Sequence, residues 1–273
     1  MLDPIASPRP QLVALALSLV VLAGCQREPQ PAPAPDKKSE TPPVVTVAPA
    51  PVLDRAGLLQ AMDVAASTFA AGREVGGASL AGRRFVVRQA FGCGEPGDDA
   101  AEAAADGQAI VAWAKDGQSL KFSLAPADWL RSGLIGNDDS SLEAAEGFWL
   151  ARPWLRTEAC PAIAPGTSAS SQASPQTSGL AAVFKPNGAR TGRRNGRAYE
   201  FTLRGEDGQP PVPSAQGYRL VLEGRMTAFA DGRAIHCRAA APDQRPVCIG
   251  AAQFDRVAFE DADGQTLSEW RDG

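Results

Sequence analysis

A cluster of four arginines is the first feature of this 273-residue sequence whose residue types could carry out specific chemistry. The cluster lies among glycines, directly before a strand-like run that starts at Tyr199, and consists of Arg190, Arg193, Arg194 and Arg197. Forked guanidinium groups bind phosphate and carboxylate through paired hydrogen bonds. The cluster therefore predicts a loop that binds an anion. The alternative is a solvated hairpin loop, in which replacing Arg193 and Arg194 by Ala changes stability by less than about 0.5 kcal/mol.

A second candidate site is aromatic. Trp149 directly follows Phe148, and Trp154 comes soon after, with Arg152 and Pro153 between the two tryptophans. Exposed rings in such a run can stack against a glycan or a peptide, whereas aromatic residues that alternate along a strand usually fill a core. The sequence alone leaves both interpretations open.

Catalytic and metal-binding motifs lack the spacing that their chemistry needs. His236 is the only histidine, so a Ser-His-Asp hydrolase would depend on it alone and a zinc ion would lack ligands. The segment Gly92–Gly97 fits GxGxxG, but the acidic stretch that follows it would repel a pyrophosphate. We therefore expect no metal, no cofactor and a non-catalytic protein. A hydrolase that uses two carboxylates remains an alternative.

The amino-terminal segment is typical of an export signal. Leu12–Ala23 is an apolar run, shorter than the roughly 20 residues that a membrane-spanning helix needs. The run ends in Leu22-Ala23-Gly24-Cys25, which resembles the lipobox of bacterial lipoprotein precursors. The resemblance implies a signal peptide over residues 1–24, cleavage before Cys25 and a diacylglyceryl group on its thiol. In that family the next residue directs sorting, and Gln26 favours the outer membrane, with the protein facing the periplasm.

Residues 25–52 are predicted to form a spacer. From Glu28 the segment is rich in proline and alanine, a composition that favours polyproline II and does not bury a core. In that conformation it would span up to roughly 75 Å. The chain carries 27 basic and 31 acidic residues, a net charge of −4, which argues against a nucleic-acid partner. The expected partners are the membrane, through the lipid, and an envelope component or protein.

Four cysteines are left for disulfide bonds if Cys25 is lipidated. An oxidising compartment favours their pairing, and four cysteines allow three connectivities. We favour Cys237 with Cys248, because each adjoins a strand-like run and a proline-bearing loop separates them. The remaining pair is then Cys93 with Cys160.

The folded part is predicted to be mainly β, in an α+β arrangement of antiparallel sheets or a sandwich. One amphipathic helix is expected where Leu58, Met62 and Phe69 share a face, with Asp54 as its N-cap. Runs with a period of two predict strands, and three Asp-Gly pairs predict tight hairpin turns. Ser/Pro-rich residues 163–178 divide the body into parts 53–162 and 179–273, so one domain and two β-rich subdomains are both open.

We conclude from the sequence that this is a lipid-anchored envelope lipoprotein with a binding or structural domain. The ligand and the oligomeric state are left open. Besides the hydrolase, a second alternative is a protein inhibitor of an envelope-degrading enzyme.

Overall fold

Residues 50–76, 79–97, 107–135, 141–162 and 174–271 are described by the computed structural model. The predicted signal peptide, the lipobox with Cys25 and residues 25–49 of the spacer lie outside these ranges, as do residues 163–173 of the Ser/Pro-rich stretch. Within the described part of the chain, no helix is long and apolar enough to cross a membrane.

The predicted amphipathic helix is present as α1, Arg55–Ala70. The Asp54 carboxylate accepts a hydrogen bond from the backbone N–H of Gly57 at 2.7 Å, which satisfies one of the free donors of the first turn. Met62 and its apolar neighbours on one face are buried, whereas Phe69, expected on the same stripe, is 37% exposed. The apolar stripe of the helix therefore packs against the rest of the domain along most of the helix, but not at the last turn.

The described strands differ in burial: Tyr199–Arg204 alternates between more and less exposed positions, as its sequence period predicts, whereas Ser119–Leu124 and Val247–Glu260 are buried at most positions. In chain order they are β1 Arg84–Phe91, β2 Ala109–Trp113, β3 Ser119–Leu124, β4 Ala127–Asp128, β5 Ala144–Trp149, β6 Ser178–Phe184, β7 Tyr199–Arg204, β8 Tyr218–Met226, β9 Ile235–Arg238, β10 Val247–Glu260 and β11 Thr266–Arg271.

The strands form two sheets. The larger sheet has the order β1-β8-β10-β6-β5-β4, and both β9 and β11 also pair with β10. The smaller sheet is β2-β3-β7. All pairs are antiparallel except β6 with β10, which is parallel. Asp-Gly turns join β2 to β3 and β10 to β11, with Gly117 and Gly264 at positive φ. The predicted mainly β fold is confirmed, in a mixed rather than a purely antiparallel arrangement.

Strand β10 connects most of the larger sheet. On one side it pairs first with β9 and then with β8, and on the other side first with β6 and then with β11. Its register with β8 shifts between Phe254 and Arg256, which is the signature of a β-bulge. On the other side of β10, the pairing with β6 ends at Ala252↔Ala182, just before this bulge.

The main hydrophobic core joins the helix and both sheets. One cluster of buried residues includes Met62 of α1, Phe122 of β3 and Phe259 of β10. The helix approaches β10 closely at Gly250, where an added Cβ would lie 2.8 Å from the Met62 Cε atom. A second cluster forms where the Trp129 ring lies over Gly147 and Gly179, which leave room for it because they have no side chain.

Strands from both sides of the Ser/Pro-rich stretch belong to one sheet. Strand β5 precedes residues 163–178, β6 begins at Ser178, and the two pair from Ala144↔Phe184 to Trp149↔Gly179. Residues 48–273 form one compact unit. The stretch therefore connects two neighbouring strands of a single sheet.

Both predicted cysteine pairs are disulfide bonds in the structure. Cys237 and Cys248 face each other on β9 and β10 with Cα atoms 4.1 Å apart. Cys93, just after β1, is bonded to Cys160, and their Cα atoms are 5.5 Å apart. The second bond connects the end of β1 to the segment that follows β5.

A buried arginine joins the helix, β1 and the segment after β5. Arg55 is 2% exposed, and its guanidinium donates hydrogen bonds to the carbonyl oxygens of Ala151, Arg152 and Leu155 at 2.6 to 3.2 Å and to Gln89 Oε1 at 3.2 Å. Burial, and secondarily the charge of Arg152, lower the pKa of Arg55 to about 10, so it remains a cation at neutral pH. Its charge is thus stabilised mainly by backbone carbonyl groups.

Replacing Arg55 by Ala is expected to lower the free energy of unfolding by about 3 kcal/mol, because several buried carbonyl groups lose their donor. Urea denaturation measures the change. Arg156→Ala is the matched control, since Arg156 pairs with Asp63 on the surface and its loss should cost less than about 1 kcal/mol. Equal effects of the two variants would contradict the structural role given to Arg55.

Candidate binding site

A cavity of about 440 Å³ lies where β6 and β10 separate. Its walls come from the end of β6, the loop that follows it, the residues after β8 and the bulged part of β10. Much of the lining is apolar and includes Ala182, Phe184, Ala252 and Phe254. Small-molecule sites in proteins are typically of this size, with mostly apolar walls and a few polar groups.

One buried polar atom in the lining of this cavity, Oγ1 of Thr227, has no hydrogen-bond partner among the described residues. Nε of Arg193, which belongs to the loop beside the lining, has none either. The Arg193 guanidinium lies over the ring of Phe184, which also lines the cavity, with its Cζ atom 5.7 Å from the ring centroid. Buried polar groups in proteins are nearly always satisfied, so the Thr227 hydroxyl identifies the part of the wall where a polar group of a ligand would bind.

The loop between β6 and β7 forms one wall, and two carboxylates near β5 hold it. Glu143 accepts hydrogen bonds from Arg193 and from Arg190, both at 2.7 Å. These bonds, first that of Arg193, lower the pKa of the Glu143 carboxyl. Glu146 accepts from the backbone N–H groups of Arg194 and Asn195 at 2.7 and 2.6 Å. The anions that the arginine loop binds in this structure are therefore side chains of the protein itself.

The four arginines of the cluster have different environments. Arg194 stacks on the Tyr199 ring at 4.3 Å and donates to the carbonyl oxygens of residues 197 and 198. The Arg193 side chain is only 17% exposed, whereas that of Arg190 is 63% exposed and Arg197 is also exposed. The interpretation as a solvated loop is wrong for Arg193 and Arg194, because both are partly buried and paired. They hold the cavity wall, and Arg190 remains accessible beside it.

The aromatic candidates do not meet on one surface. Phe148 is buried in the main core, and Trp149 packs against Trp129 with ring centroids 4.6 Å apart. Trp154 is 54% exposed on the segment after β5. The alternation along β5 directs Phe148 and Trp149 to opposite faces of the sheet, so the run does not form a continuous stacking surface.

His236 is partnered by Asp231. The two side chains approach within 3.0 Å, and the His236 ring stacks on Phe229 at 4.0 Å. Burial disfavours the charged form of Asp231 and by itself would raise its pKa. Hydrogen bonds from the Arg233 backbone and from His236 have the larger combined effect and lower the pKa of Asp231. No group of three or more potential metal-ligating side chains occurs among the described residues.

Sequence reasoning found the arginine loop beside the cavity but missed the apolar floor of the cavity and Thr227. Phe184, Ala252 and Phe254 have the pattern of ordinary strand residues. They line a cavity because β6 and β10 no longer pair beyond Ala182 and Ala252, and a space opens between the two strands. No local signal in the sequence marks that separation.

Comparisons with protein-family models, with curated proteins and with solved structures found no match to this chain.

Replacing Arg194 by Ala is expected to lower the free energy of unfolding by about 1 to 2 kcal/mol, because the stacking on Tyr199 and two hydrogen bonds to backbone carbonyl groups are lost. Arg197→Ala, at an exposed position of the same loop, should change stability by less than about 0.5 kcal/mol. Urea denaturation of both variants tests the assignment. A loss for Arg194→Ala no larger than for Arg197→Ala would show that Arg194 does not hold the wall.

Proposed function

We propose that this protein is a lipid-anchored envelope lipoprotein whose β-rich domain binds a small amphipathic molecule in the cavity between β6 and β10. The anchor is inferred from the lipobox that ends in Cys25. The binding role rests on one observation, an apolar cavity of about 440 Å³ whose wall contains the unpartnered hydroxyl of Thr227. An apolar group would occupy the floor, and a polar group would accept hydrogen bonds at the wall.

The charges around the cavity favour an anionic polar group on the ligand. Lys185 lines the cavity, and Arg190 and Arg193 are on its loop. Glu143 is hydrogen-bonded to both arginines, and its single charge leaves an excess of positive charge at this wall. Guanidinium and ammonium groups bind carboxylate, sulfonate and phosphate groups.

The cavity supports binding better than hydrolysis. A carboxylate-based hydrolase needs two acidic side chains directed at the substrate. The residues that line this cavity include neither Asp nor Glu. The nearby Glu143 and Glu146 have hydrogen bonds within the protein. The proposal of a binding protein therefore agrees with the chemistry of the lining.

Replacing Cys25 by Ala is expected to leave the precursor uncleaved or to release the protein from the membrane, because only the thiol accepts the diacylglyceryl group. Cell fractionation and the mass of the mature protein measure both outcomes. Ala230→Trp, an exposed change in the folded domain, should leave processing and fractionation unchanged. Normal membrane retention of the Cys25→Ala protein at unchanged mature mass would refute the anchor.

The cavity is tested with two fluorescent probes, anionic anilinonaphthalene sulfonate and neutral phenylnaphthylamine. We expect the anionic probe to bind more tightly. Ala189 is exposed at the cavity, and Ala189→Trp should weaken probe binding by about tenfold because the indole occupies the entrance.

Ala230→Trp is the control for the probe experiment, because it adds the same indole at an exposed position that does not line this cavity. Thermal unfolding of both variants verifies that they fold. Equal probe affinities of the two tryptophan variants, or no probe binding by the native protein, would refute the cavity as a binding site.

A further inference from the structure

The outer face of the larger sheet carries a concentration of arginines that the cavity does not use. Because side chains alternate along a strand, the cross-strand registers of β1, β8, β10 and β11 determine which residues share this face. We call it the arginine face. Its arginines are Arg84, Arg88, Arg219, Arg225, Arg256 and Arg271.

Carboxylates neutralise only part of the arginine face. Arg256 is buried between Glu223 at 2.6 Å and Glu269 at 2.7 Å, and Arg88 pairs with Glu260 at 3.4 Å. Burial disfavours the charged form of Arg256 and by itself would lower its pKa. The hydrogen bonds to Glu269 and Glu223 have the larger combined effect and raise the pKa of Arg256. With Asp255, which approaches Arg225 at 3.8 Å, four carboxylates oppose six arginines. The face therefore carries excess positive charge on a chain whose net charge is −4.

One pair of arginines on this face is unfavourable for the isolated sheet. Arg84 lies directly opposite Arg225, whereas Arg256 and Arg271, which also lie opposite each other, share the Glu269 carboxylate. Like charges in directly opposed cross-strand positions destabilise a sheet. Arg84 and Arg219 have no ion-pair partner in the part of the chain that the structure describes. A negatively charged partner outside the domain would remove this repulsion.

The chain enters the domain at the edge of the arginine face. Pro51 O accepts a hydrogen bond from the Arg83 guanidinium at 2.7 Å. Leu53 pairs with Phe85 along the free edge of β1, next to Arg84. The segment between Cys25 and this edge is about 25 residues long and reaches at most roughly 85 Å. A lipid on Cys25 would therefore tether this edge of the domain within that distance of the bilayer surface, which allows the arginine face to reach the headgroups.

We propose that the arginine face docks on the anionic phosphate headgroups of the membrane that holds the lipid anchor. This inference rests on the anchor in the proposed function. The four-stranded sheet presents its guanidinium groups as an array, and those that are not buried between carboxylates can each bind a phosphate through paired hydrogen bonds. The anchor raises the local concentration of headgroups, so weak contacts are sufficient for docking. The cavity adjoins the arginine face, because Gln253 lines the cavity and lies opposite Arg225.

Vesicle co-sedimentation tests the docking with the mature chain carrying Cys25→Ser, so that binding does not depend on the lipid. The probes are vesicles of phosphatidylcholine alone and vesicles with about 30% phosphatidylglycerol, at about 0.05 M and about 0.5 M salt. We expect binding to the anionic vesicles at low salt only. Arg84→Gln with Arg225→Gln should weaken it at least about tenfold, since each arginine near an anionic surface contributes to the attraction.

Arg131→Gln with Arg204→Gln is the matched control, because it removes the same charge from exposed positions outside the arginine face. It should bind like the parent protein. The docking would be overturned by equal binding to neutral vesicles or by equal weakening of binding in both double variants. Preferential binding to polyglutamate would also overturn it, because that result would indicate an acidic protein partner. If the vesicles fail to bind while Cys25→Ala still releases the protein from cell membranes, the docking alone is wrong and the anchor stands.

Discussion

The buried Arg55 guanidinium is the interaction on which the arrangement of the domain depends. It lies at the start of the helix and binds the carbonyl groups of the segment after β5, while Gln89 of β1 binds both Arg55 and the backbone of that segment. Strands β1 and β5 are separated in the larger sheet by β8, β10 and β6. One cation therefore connects distant parts of that sheet and positions the helix against them. A planar group with five donors suits this task, because it satisfies several carbonyl groups that would otherwise be buried without a partner.

Charged side chains act as connectors elsewhere in the molecule as well. Glu143 and Glu146 hold the loop that forms the cavity wall, and Arg256 joins β8, β10 and β11 through their carboxylates. In each case hydrogen bonds compensate for the removal of the charge from water. The arginine loop illustrates the consequence for function. Its motif is typical of an anion site, yet in the folded protein Arg190 and Arg193 bind Glu143, and Arg194 binds backbone carbonyl groups.

The cavity is a product of topology rather than of a motif. Strand β10 changes its pairing partners along its length, and the bulge near Phe254 marks the place where β6 leaves it. The resulting space is closed by a loop that the same two glutamates hold in place. A binding function in this protein would therefore depend on residues from β6, β10 and the segment after β8, which are far apart in the chain.

The sequence by itself determined the helix with its Asp54 cap, the mainly β class, the positions of several strands and both cysteine pairs. Most of these follow from local information: apolar periodicity, turn residues, or cysteines at the ends of adjacent strand-like runs. Cys93 with Cys160 was the pair that remained. Only the tertiary structure decided that β6 pairs with β10 in parallel, that Phe69 is exposed, and that the glutamates beside β5 occupy the arginine loop. A period of two shows that a strand has a buried face but does not identify the strand beside it. Pairing, cavities and charge neutralisation are set by contacts between distant residues, and no local pattern in one sequence encodes them.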